Sequence, residues 1–514
     1  MKTFYITTTL PYVNADPHLG HAMEFVRADV IARYKRYAGY EVFFNTGTDE
    51  HGSKIYEAAA KEGLDTMAYV DKYSDRFRDF LKLANISNDG FIRTTEERHV
   101  RAAQKMWNIC FEKGDIYKAK QQINYCVGCE MEKTDSDLVD GFCPDHLNRP
   151  LEKYEEENYF FKFSKYEKDL LALYDAGLVR PDYRGKEIYN FVAGGLHDFS
   201  VSRLKSKMPW GVAVPGDDEH VMYVWFDALT SYISTLGWGT EGNENKKENN
   251  FEKFWQQDGQ EKREVLQYCG KDNNKPQSAI WQSMLLSAGI KNTSIINING
   301  HIISGGVKMS KSIGNVISPF DIIDEYKLCT SYADEVLRFM MCHEVSTYED
   351  SDITPASIRV AYTAYLQNGI GNQVNRILKL SSTHLNDEDI KNILEKAEQV
   401  KLEKSYTDNL DNFKINEAIH IVTDKIKSLD EYIQSTEPFK LIKSDGGGDA
   451  VKAEQDKEKA REIIRDCVLR LCDIGHHLYF FMPRLSLDIY AHIKENKMPA
   501  AALFGRVENS VSIL

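Results

Sequence analysis

The first fifty residues of the chain carry a strand–helix–strand pattern. Residues 4–10 are rich in β-forming side chains, which is typical of a buried strand. Residues 19–38 place large apolar side chains at helical spacing, and Gly39 stands where a helix-ending glycine belongs. Residues 42–44 form a second short apolar run. This order predicts a parallel sheet with a right-handed crossover helix, whose ligands bind beyond the carboxyl ends of the strands.

Length and composition restrict the class of protein. The 514 residues are 42% hydrophobic and 28% charged, as expected for a globular chain of roughly two to four domains. No apolar run is long enough to span a membrane, and the first residues fit no targeting peptide. Nine cysteines are too few for a disulfide scaffold, so we expect a cytoplasmic location. The net charge of −14 counts against bulk electrostatic binding of nucleic acid and leaves only a local basic patch.

The pattern changes twice along the chain. Between about residues 118 and 214 the periodicity breaks up, which indicates an insertion in the α/β domain. Strand-like runs at residues 221–225 and 295–298 are expected to resume the sheet. After about residue 348 amphipathic spacing predicts helices, with a loop at residues 444–458.

Two histidines flank a glycine at the predicted start of the first helix, in residues 17–21 (PHLGH). The amides and the positive dipole end of a helix N-terminus favour an anion, and imidazoles add donors. Gly20 would let a flat base or sugar lie against the backbone. Alone the pattern is weak, because most such histidines are only helix-capping residues.

A second pattern, residues 308–312 (KMSKS), lies in a glycine-flanked segment. Lys308 and Lys311 suit a mobile clamp that neutralises phosphate charge. A solvated basic loop is the competing interpretation if these residues are taken alone.

Four residues have the spacing of metal ligands. Cys126 and Cys129 are separated by two residues, and so are Cys143 and His146. Two such pairs build a closed tetrahedral Zn²⁺ site, and a full set of four protein ligands makes the metal structural.

The two phosphate patterns together resemble the HIGH and KMSKS signatures of the class I aminoacyl-tRNA synthetases. Residues 9–14 (TLPYVN), 46–52 (TGTDEHG), 223–228 (YVWFDA) and 270–272 (GKD) narrow the resemblance to the methionyl-tRNA synthetase family, over nearly the whole chain. The resemblance implies that methionine is activated with ATP to methionyl-adenylate and then transferred to the 3′ end of tRNA(Met), which supplies translation initiation and elongation.

The implied fold class is α/β, with a Rossmann-type parallel-sheet catalytic domain split by a zinc-binding insertion and followed by an all-α anticodon-binding bundle. The expected boundaries are 1–117 for the first half of the catalytic domain, 118–214 for the insertion, 215–320 for the second half, 321–350 for a stem-contact region and 351–514 for the bundle.

The resemblance also implies site residues. The catalytic residues are His18, His21, Lys308 and Lys311; the ATP-binding residues are Gly20, Glu24, Asp272 and Ser310, and Mg²⁺ accompanies ATP. The methionine-binding residues are Leu10, Tyr12, Asp49, Trp225, Ala228, Tyr232, Gln277 and Trp281, with Asp49 receiving the α-ammonium group. Aromatic walls suit a thioether through sulfur–aromatic contact. Core packing of Trp225 and Trp281 and a capping role for Asp49 are the competing interpretations.

The chain departs from the family pattern after Asp272. Gln277 stands in place of the family's pocket histidine, and Asn273 in place of an apolar neighbour. Because glutamine both donates and accepts, methionine binding would survive in a more polar pocket, although amino-acid specificity becomes an open question.

Three residues of the helical part are implied to read the anticodon. Asn372 and Arg376 lie one helical turn apart, and Phe439 stands where the family usually has tryptophan. Core packing is the competing interpretation of Phe439. The cations that would form a local basic face, or an ordinary solvated surface, are Arg359, Arg376, Lys440 and Lys443.

Two other functions stay open: a class I synthetase for another apolar amino acid such as leucine, and a synthetase-like RNA-binding protein without catalysis. The insertion is too short for a separate editing domain. The expected partners are ATP, L-methionine and tRNA(Met), without a membrane. We expect a monomer, because no appended dimerisation domain follows the bundle.

Overall fold

The structure is a computed structural model that describes residues 2–126, 131–133, 141–143, 150–240, 250–256, 263–309 and 315–507. Its strands are β1 Thr3–Thr8, β2 Glu41–Thr48, β3 Gly90–Arg93, β4 Ile116–Cys126, β5 Met131–Lys133, β6 Glu152–Phe161, β7 Val179–Arg180, β8 Phe199–Ser200, β9 Ser202–Leu204, β10 Ala213–Val214, β11 Asp217–Met222, β12 Arg263–Gly270, β13 Ile295–Asn299, β14 Ile302–Ser304, β15 Val307–Lys308 and β16 Ser351–Asp352.

The helices run from the first crossover to the C-terminal region. They are α1 Leu19–Tyr37, α2 Ser53–Glu62, α3 Thr66–Leu83, α4 Glu97–Glu112, α5 Glu167–Asp175, α6 Asp182–Ala193, α7 Val224–Leu229, α8 Ser231–Ser234, α9 Gln282–Ala288, α10 Pro319–Tyr326, α11 Ala333–His343, α12 Pro355–Ala361, α13 Asn372–His384, α14 Asp387–Ala397, α15 Lys404–Asp411, α16 Ile415–Thr436, α17 Pro438–Ile442, α18 Ala450–Leu478 and α19 Pro483–Glu495. Short π-helical segments cover Glu252–Gln256, Pro276–Trp281 and Tyr362–Gly371.

A parallel sheet with the strand order β3–β2–β1–β12–β13–β7 organises the N-terminal part of the described chain. Strand β1 pairs in parallel with β2 on one side and β12 on the other, so their carboxyl ends lie side by side. The predicted parallel α/β core is therefore confirmed. Strand β7, which falls in the range assigned to the insertion, pairs with β13 at the edge of this sheet.

Helix α1 begins where the sequence predicts. His18 caps it by accepting a hydrogen bond from the backbone N–H of Gly20, and Gly39 follows its end at a φ of +83°. The φ value lies in the left-handed region that favours glycine. Most residues of α1 are buried. Because the helix is packed against the rest of the protein in this way, its first turn is held next to the ends of β1 and β2.

Two local predictions are wrong. Residues 221–225 do not form one strand of the parallel sheet: β11 ends at Met222 in a small antiparallel sheet with β9 and β10, and α7 begins at Val224. A five-residue apolar run fits a buried strand and a buried helical turn equally well. Residues 444–458 are not all loop, because Asp449 caps α18 by accepting from the backbone N–H groups of Val451 and Lys452.

The predicted change to helical structure after residue 348 is confirmed, apart from the short strand β16. Helix α18 packs against α13, α14, α16 and α19 and so forms the centre of this helical region. In the described residues, every helix falls short of the length and apolar content needed to cross a bilayer.

Buried charged side chains connect α1 to the helical region. Arg338 of α11 lies 2.8 Å from a carboxylate oxygen of Asp29, and neither side chain is exposed. Arg338 also donates to the backbone carbonyls of Phe480 and Phe481. Arg27 lies two residues before Asp29 on α1. It donates to the backbone carbonyl of Met341 in α11 and to that of Ser346, which follows α11. The crossover helix is thus part of both regions.

Candidate active site

A cavity of about 1140 Å³ opens at the carboxyl ends of β1, β2 and β12. It lies where a parallel sheet is expected to bind its ligands. Many of the residues singled out from the sequence line it together: Leu10, Tyr12, His18, Gly20, His21, Glu24, Asp49, Trp225 and Asp272. The residues predicted from separate motifs to bind phosphate, nucleoside and amino acid therefore line a single cavity.

The two histidines stand at the N-terminus of α1. Their rings stack with centroids 3.8 Å apart. Nδ1 of His18 accepts from the Gly20 amide, and Nδ1 of His21 accepts from the His18 amide. A neutral ring that accepts at Nδ1 carries its hydrogen on Nε2, so both imidazoles are donors at the positive end of the helix. Burial, and then the neighbouring His18, hold the pKa of His21 well below its usual value.

Glu24 lies one turn further along α1. Its carboxylate accepts from the backbone N–H of Thr9 at 2.5 Å. Burial raises the pKa of Glu24 to about 8, and the nearby Asp272 adds to the increase. Below that pH the side chain is a neutral carboxyl group that can both donate and accept, which suits contact with sugar hydroxyls.

Asp49 closes the end of β2 and is 8% exposed. Its amide donates to the carbonyl of Pro11, which holds the segments after β1 and β2 together. Its Oδ1 atom is buried and has no hydrogen-bond partner within the described part of the chain. Burial, and then the charge of Asp227, raise the pKa of Asp49 well above its usual value. A buried carboxylate in this state would be stabilised by a cationic ligand.

Four predicted methionine-binding residues do not line the cavity. Ala228 is half-buried, while Tyr232, Gln277 and Trp281 are each at most 3% exposed and form a layer behind the lining. The rings of Tyr232 and Trp281 meet edge to face at 6.0 Å. Trp225 is 40% exposed on α7 and faces the opening, which a core aromatic would not do.

A buried Asp–His cluster lies beneath this wall, and the sequence motifs do not reveal it. Asp227 is 2.6 Å from Nδ1 of His51 and 2.7 Å from Nε2 of His99, and His99 also contacts Ser234 at 2.9 Å. Burial alone would raise the pKa of Asp227. The two imidazoles outweigh this effect and lower the pKa from its usual value to about 2. The cluster fixes α7 relative to the end of β2.

Residues 308–312 (KMSKS), the second pattern predicted to bind phosphate, are only partly described by the structure. Lys308 ends the hairpin strand β15 and its partner in β14 is Ile303. Met309 lines the cavity. The side chain of Lys308, together with Ser310 and Lys311, lies outside the described residues. The clamp therefore stays a prediction.

Four cationic or titratable side chains in the cavity lining were missed by the sequence interpretation. They are Lys54, Arg203, Lys207 and His301. Arg203 packs over the ring of Tyr223 at 4.5 Å, and Nε2 of His301 lies 3.3 Å from Asp272. The strings around Arg203 and Lys54 carry no spacing signal, whereas His301 follows a predicted strand and could have been proposed from its position.

The predicted zinc ligands fall mostly outside the described residues, namely Cys129, His146 and the side chain of Cys126. The backbone of Cys126 ends β4 and pairs with Met131, and Cys143 is buried. Within the described ranges no three His, Cys, Asp or Glu side chains converge to hold a metal ion. The zinc site therefore also stays a prediction.

The three predicted anticodon residues lie on two helices. Asn372 begins α13 and is exposed, and Arg376 follows one turn later. Phe439 lies on α17 and is 39% exposed, which argues against a core role. Three of the four cations predicted to form a basic face have acidic partners: Arg376 with Asp430 at 2.7 Å, Arg359 with Glu325 at 2.8 Å and Lys440 with Glu437 at 2.6 Å.

Comparison with known proteins places the chain in a family. The profile described as "tRNA synthetases class I (M)" matches residues 4–150 and 147–378. A methionine–tRNA ligase of Thermotoga maritima is 35% identical over 86% of this chain and 68% of its own length. That of Synechocystis sp. is 34% identical over 96% of this chain and 90% of its own length.

A solved structure agrees. Mycobacterium tuberculosis methionyl-tRNA synthetase in complex with methionyl-adenylate superposes with a TM-score of 0.78 at 30% identity, covering 98% of this chain and 100% of that chain. With the shared cavity and the motifs that line it, these matches show that the chain belongs to the methionine–tRNA ligase family of class I tRNA synthetases.

Proposed function

We propose that this chain activates L-methionine with ATP and transfers it to the 3′ end of tRNA(Met). One observation supports the proposal more than the others: the imidazole donors and the buried carboxylate of Asp49, whose Oδ1 has no hydrogen-bond partner among the described residues, line the same cavity. The donors suit a triphosphate, and the carboxylate suits the ammonium group of an amino acid. The relatives of similar sequence are methionine–tRNA ligases.

Activation of methionine requires that the reacting groups are held in position and that charge on the phosphates is stabilised. The methionine carboxylate attacks the α-phosphate, and pyrophosphate leaves. In our proposal Asp49 holds the ammonium group, the Nε2–H groups of His18 and His21 donate to phosphate oxygens, and Glu24 and Asp272 contact the sugar. Holding the attacking oxygen in line and stabilising the developing phosphate charge would supply most of the rate. Mg²⁺, arriving with ATP, would neutralise part of the phosphate charge.

Selection of methionine would depend on the aromatic wall. Leu10, Tyr12 and Trp225 line the cavity next to Asp49. An unbranched thioether fits such a wall through sulfur–aromatic contact. Ala228, Tyr232, Gln277 and Trp281 lie at or behind the wall and would shape the end of the pocket.

Pyrophosphate exchange measured separately with each of the twenty amino acids tests the proposal. Exchange with methionine alone supports it. Exchange with leucine would instead favour a synthetase for another apolar amino acid. No exchange with any amino acid, beside an active control enzyme, would favour a non-catalytic RNA-binding protein.

The proposed clamp has its own test. Lys311→Ala should lower exchange by orders of magnitude while hardly changing tRNA affinity, with Lys308 in a supporting role and Ser310 next to it at the nucleotide. Lys327→Ala is a matched control, because Lys327 is exposed on the segment after α10. Unchanged exchange by Lys311→Ala would refute the clamp.

We propose one structural Zn²⁺ bound by Cys126, Cys129, Cys143 and His146. Three thiolates and an imidazole are a donor set that zinc prefers, and the burial of Cys143 is consistent with a ligand. Metal analysis of purified protein should give about one zinc per chain. Zinc-free protein with normal exchange activity and unchanged thermal stability would contradict the site.

We also propose that Asn372, Arg376 and Phe439 contact the anticodon. The exposure of Asn372 and Phe439 supports this proposal. Stacking of an unpaired base on an exposed ring is the usual way in which proteins hold single-stranded RNA.

A further inference from the structure

We propose that His301 is a positioning residue of the nucleotide site, which holds the carboxylate of Asp272 in the orientation that accepts a hydrogen bond from a ribose hydroxyl of ATP. The inference rests on the proposed function, in which Asp272 contacts the sugar. Both side chains belong to the lining of the cavity. The motifs singled out from the sequence contain Asp272 but not His301.

The main chain of His301 is held on both sides. The residue lies between β13 and β14, and its backbone N–H donates to Oδ1 of Asp350 at 2.9 Å. Its carbonyl accepts from the backbone N–H of Ser351 at 3.0 Å. Asp350 is fixed in turn by Lys271, whose Nζ lies 2.8 Å and 2.6 Å from its two carboxylate oxygens. The imidazole of His301 therefore extends into the cavity lining from a well-defined starting point.

The imidazole reaches the carboxylate of Asp272. Nε2 of His301 lies 3.3 Å from Oδ1 of Asp272, and Nδ2 of Asn273 donates to the same oxygen at 3.3 Å. The last torsion of an aspartate side chain is otherwise broad, so two contacts at one oxygen restrict its rotation. The side chain of Asp272 is 58% exposed and that of His301 only 19%. The carboxylate thus stays accessible to a ligand while the imidazole holds it from behind.

Gly270 completes a corner of the cavity with these two residues. A Cβ atom at position 270 would lie 3.0 Å from Oδ1 of Asp272 and 3.9 Å from Nε2 of His301. The corner is open because Gly270 carries no side chain, and all three residues line the cavity. An ionised carboxylate accepts strong, charge-assisted hydrogen bonds, so the corner suits a small ligand group that carries hydroxyl donors.

The topology of the sheet indicates which part of ATP reaches this corner. Gly270 is the last residue of β12, and β12 pairs directly with β1. The proposed phosphate-binding imidazoles stand at the start of α1, which follows β1. The group of ATP that carries hydroxyl donors and is attached directly to the phosphates is the ribose. We therefore expect the ribose to lie over Gly270, beside Asp272.

The test compares ATP with 2′-deoxy-ATP and 3′-deoxy-ATP in pyrophosphate exchange. In wild type, KM should be about tenfold higher for the analogue that lacks the hydroxyl bound by Asp272. His301→Phe keeps an aromatic ring but removes the nitrogen that contacts Asp272. It should raise KM for ATP about five- to tenfold, as expected for one misdirected hydrogen bond, and change KM for that analogue by less than about twofold. KM for methionine should not change.

Two further variants and a double-mutant cycle separate positioning from general damage. His301→Gln places an amide N–H near the position of Nε2 and should stay within about threefold of wild type. His197→Phe changes an exposed histidine outside the cavity lining and is the control. In an Asp272→Asn background, His301→Phe should produce no further change in KM for ATP.

Equal increases in KM for all three nucleotides would overturn the inference, and so would a wild type that does not discriminate against either deoxynucleotide. An effect of His301→Phe that persists in the Asp272→Asn background would also contradict it. If thermal unfolding shows that His301→Phe does not fold, His301→Leu takes its place with the same expected outcomes. A wild-type chain without methionine exchange would refute the proposed function instead.

Discussion

Nδ1 of His51 lies 2.6 Å from Oδ2 of Asp227, between the end of β2 and α7. The contact joins residues 176 positions apart in sequence, one just after Asp49 and the other between Trp225 and Ala228. Two walls of the proposed methionine pocket are therefore held together by one buried carboxylate–imidazole hydrogen bond, and His99 makes a second hydrogen bond to the same carboxylate.

Asp227→Asn should loosen both walls. Breaking a buried pair typically costs about 3 kcal/mol. We expect a lower unfolding temperature at pH 7 and a raised KM for methionine. Asp16→Asn, which removes an exposed carboxylate, is the control. An unchanged unfolding temperature would contradict the role of the cluster.

The same variant has a pH signature. The folded-state pKa of Asp227, about 2, lies below its unfolded value of 3.8. The stability from its ionisation is present above the unfolded value and is lost as pH falls toward the folded value. Wild type and Asp227→Asn should thus differ fully at pH 5 and converge between about pH 4 and 2, which thermal unfolding across this range would show.

Asp49→Asn should abolish most methionine activation. The change keeps the shape of the side chain but removes the charge that the ammonium group would meet. Loss of a buried ion pair of about 3 kcal/mol corresponds to an increase of about 100-fold in KM for methionine. Steady-state exchange kinetics check this value. A KM within threefold of wild type would show that the ammonium group binds elsewhere.

Glu24→Gln should make the ligand-free protein more stable and less active. The pKa of Glu24 is raised by burial to about 8, above its unfolded value of 4.5, so stability is lost as pH rises from the lower value toward the higher. The glutamine removes this loss and should stabilise the protein at pH 9 by up to roughly 5 kcal/mol. Thermal unfolding at pH 5 and pH 9 measures the difference, with the exposed Glu57→Gln as control. Equal pH dependence in wild type and Glu24→Gln would disprove it.

Arg376→Ala should weaken charging of tRNA and spare methionine exchange, because Arg376 lies on α13, outside the cavity lining. Loss of one charge-assisted hydrogen bond predicts about a tenfold decrease in kcat/KM for tRNA. Arg470→Ala, which removes an exposed arginine paired with Asp466 on α18, is the control. Equal loss in exchange and charging would argue against an anticodon role.

The sequence predicts the parts of the site that local patterns encode. The strand–helix–strand order places His18, His21 and Asp49 at one sheet edge, because parallel strands end together. The shared cavity of Leu10, Tyr12 and Trp225 follows from the same order once the family resemblance is recognised.

Contacts between distant residues were not predictable in this way. The pairing of His51 and His99 with Asp227 depends on how remote segments pack, and no spacing rule encodes that packing. The same reason explains why the sequence did not show that cations of the predicted basic face are paired with carboxylates. The acidic partners of Arg359 and Arg376 come from other helices, which composition does not reveal. The location of Trp225 on a helix rather than a strand reflects the ambiguity of short apolar runs.

The ion pair between Asp29 and Arg338 means that the nucleotide-binding portion is not a transplantable module. A fragment that ended before α11 would leave Arg27 without the carbonyls to which it donates, and Asp29 would keep Arg33 and Ser87 but lose Arg338; breaking buried charge contacts of this kind typically costs about 3 kcal/mol. Any graft of foreign helices onto this catalytic framework must therefore supply a guanidinium group and a set of carbonyls at the same places.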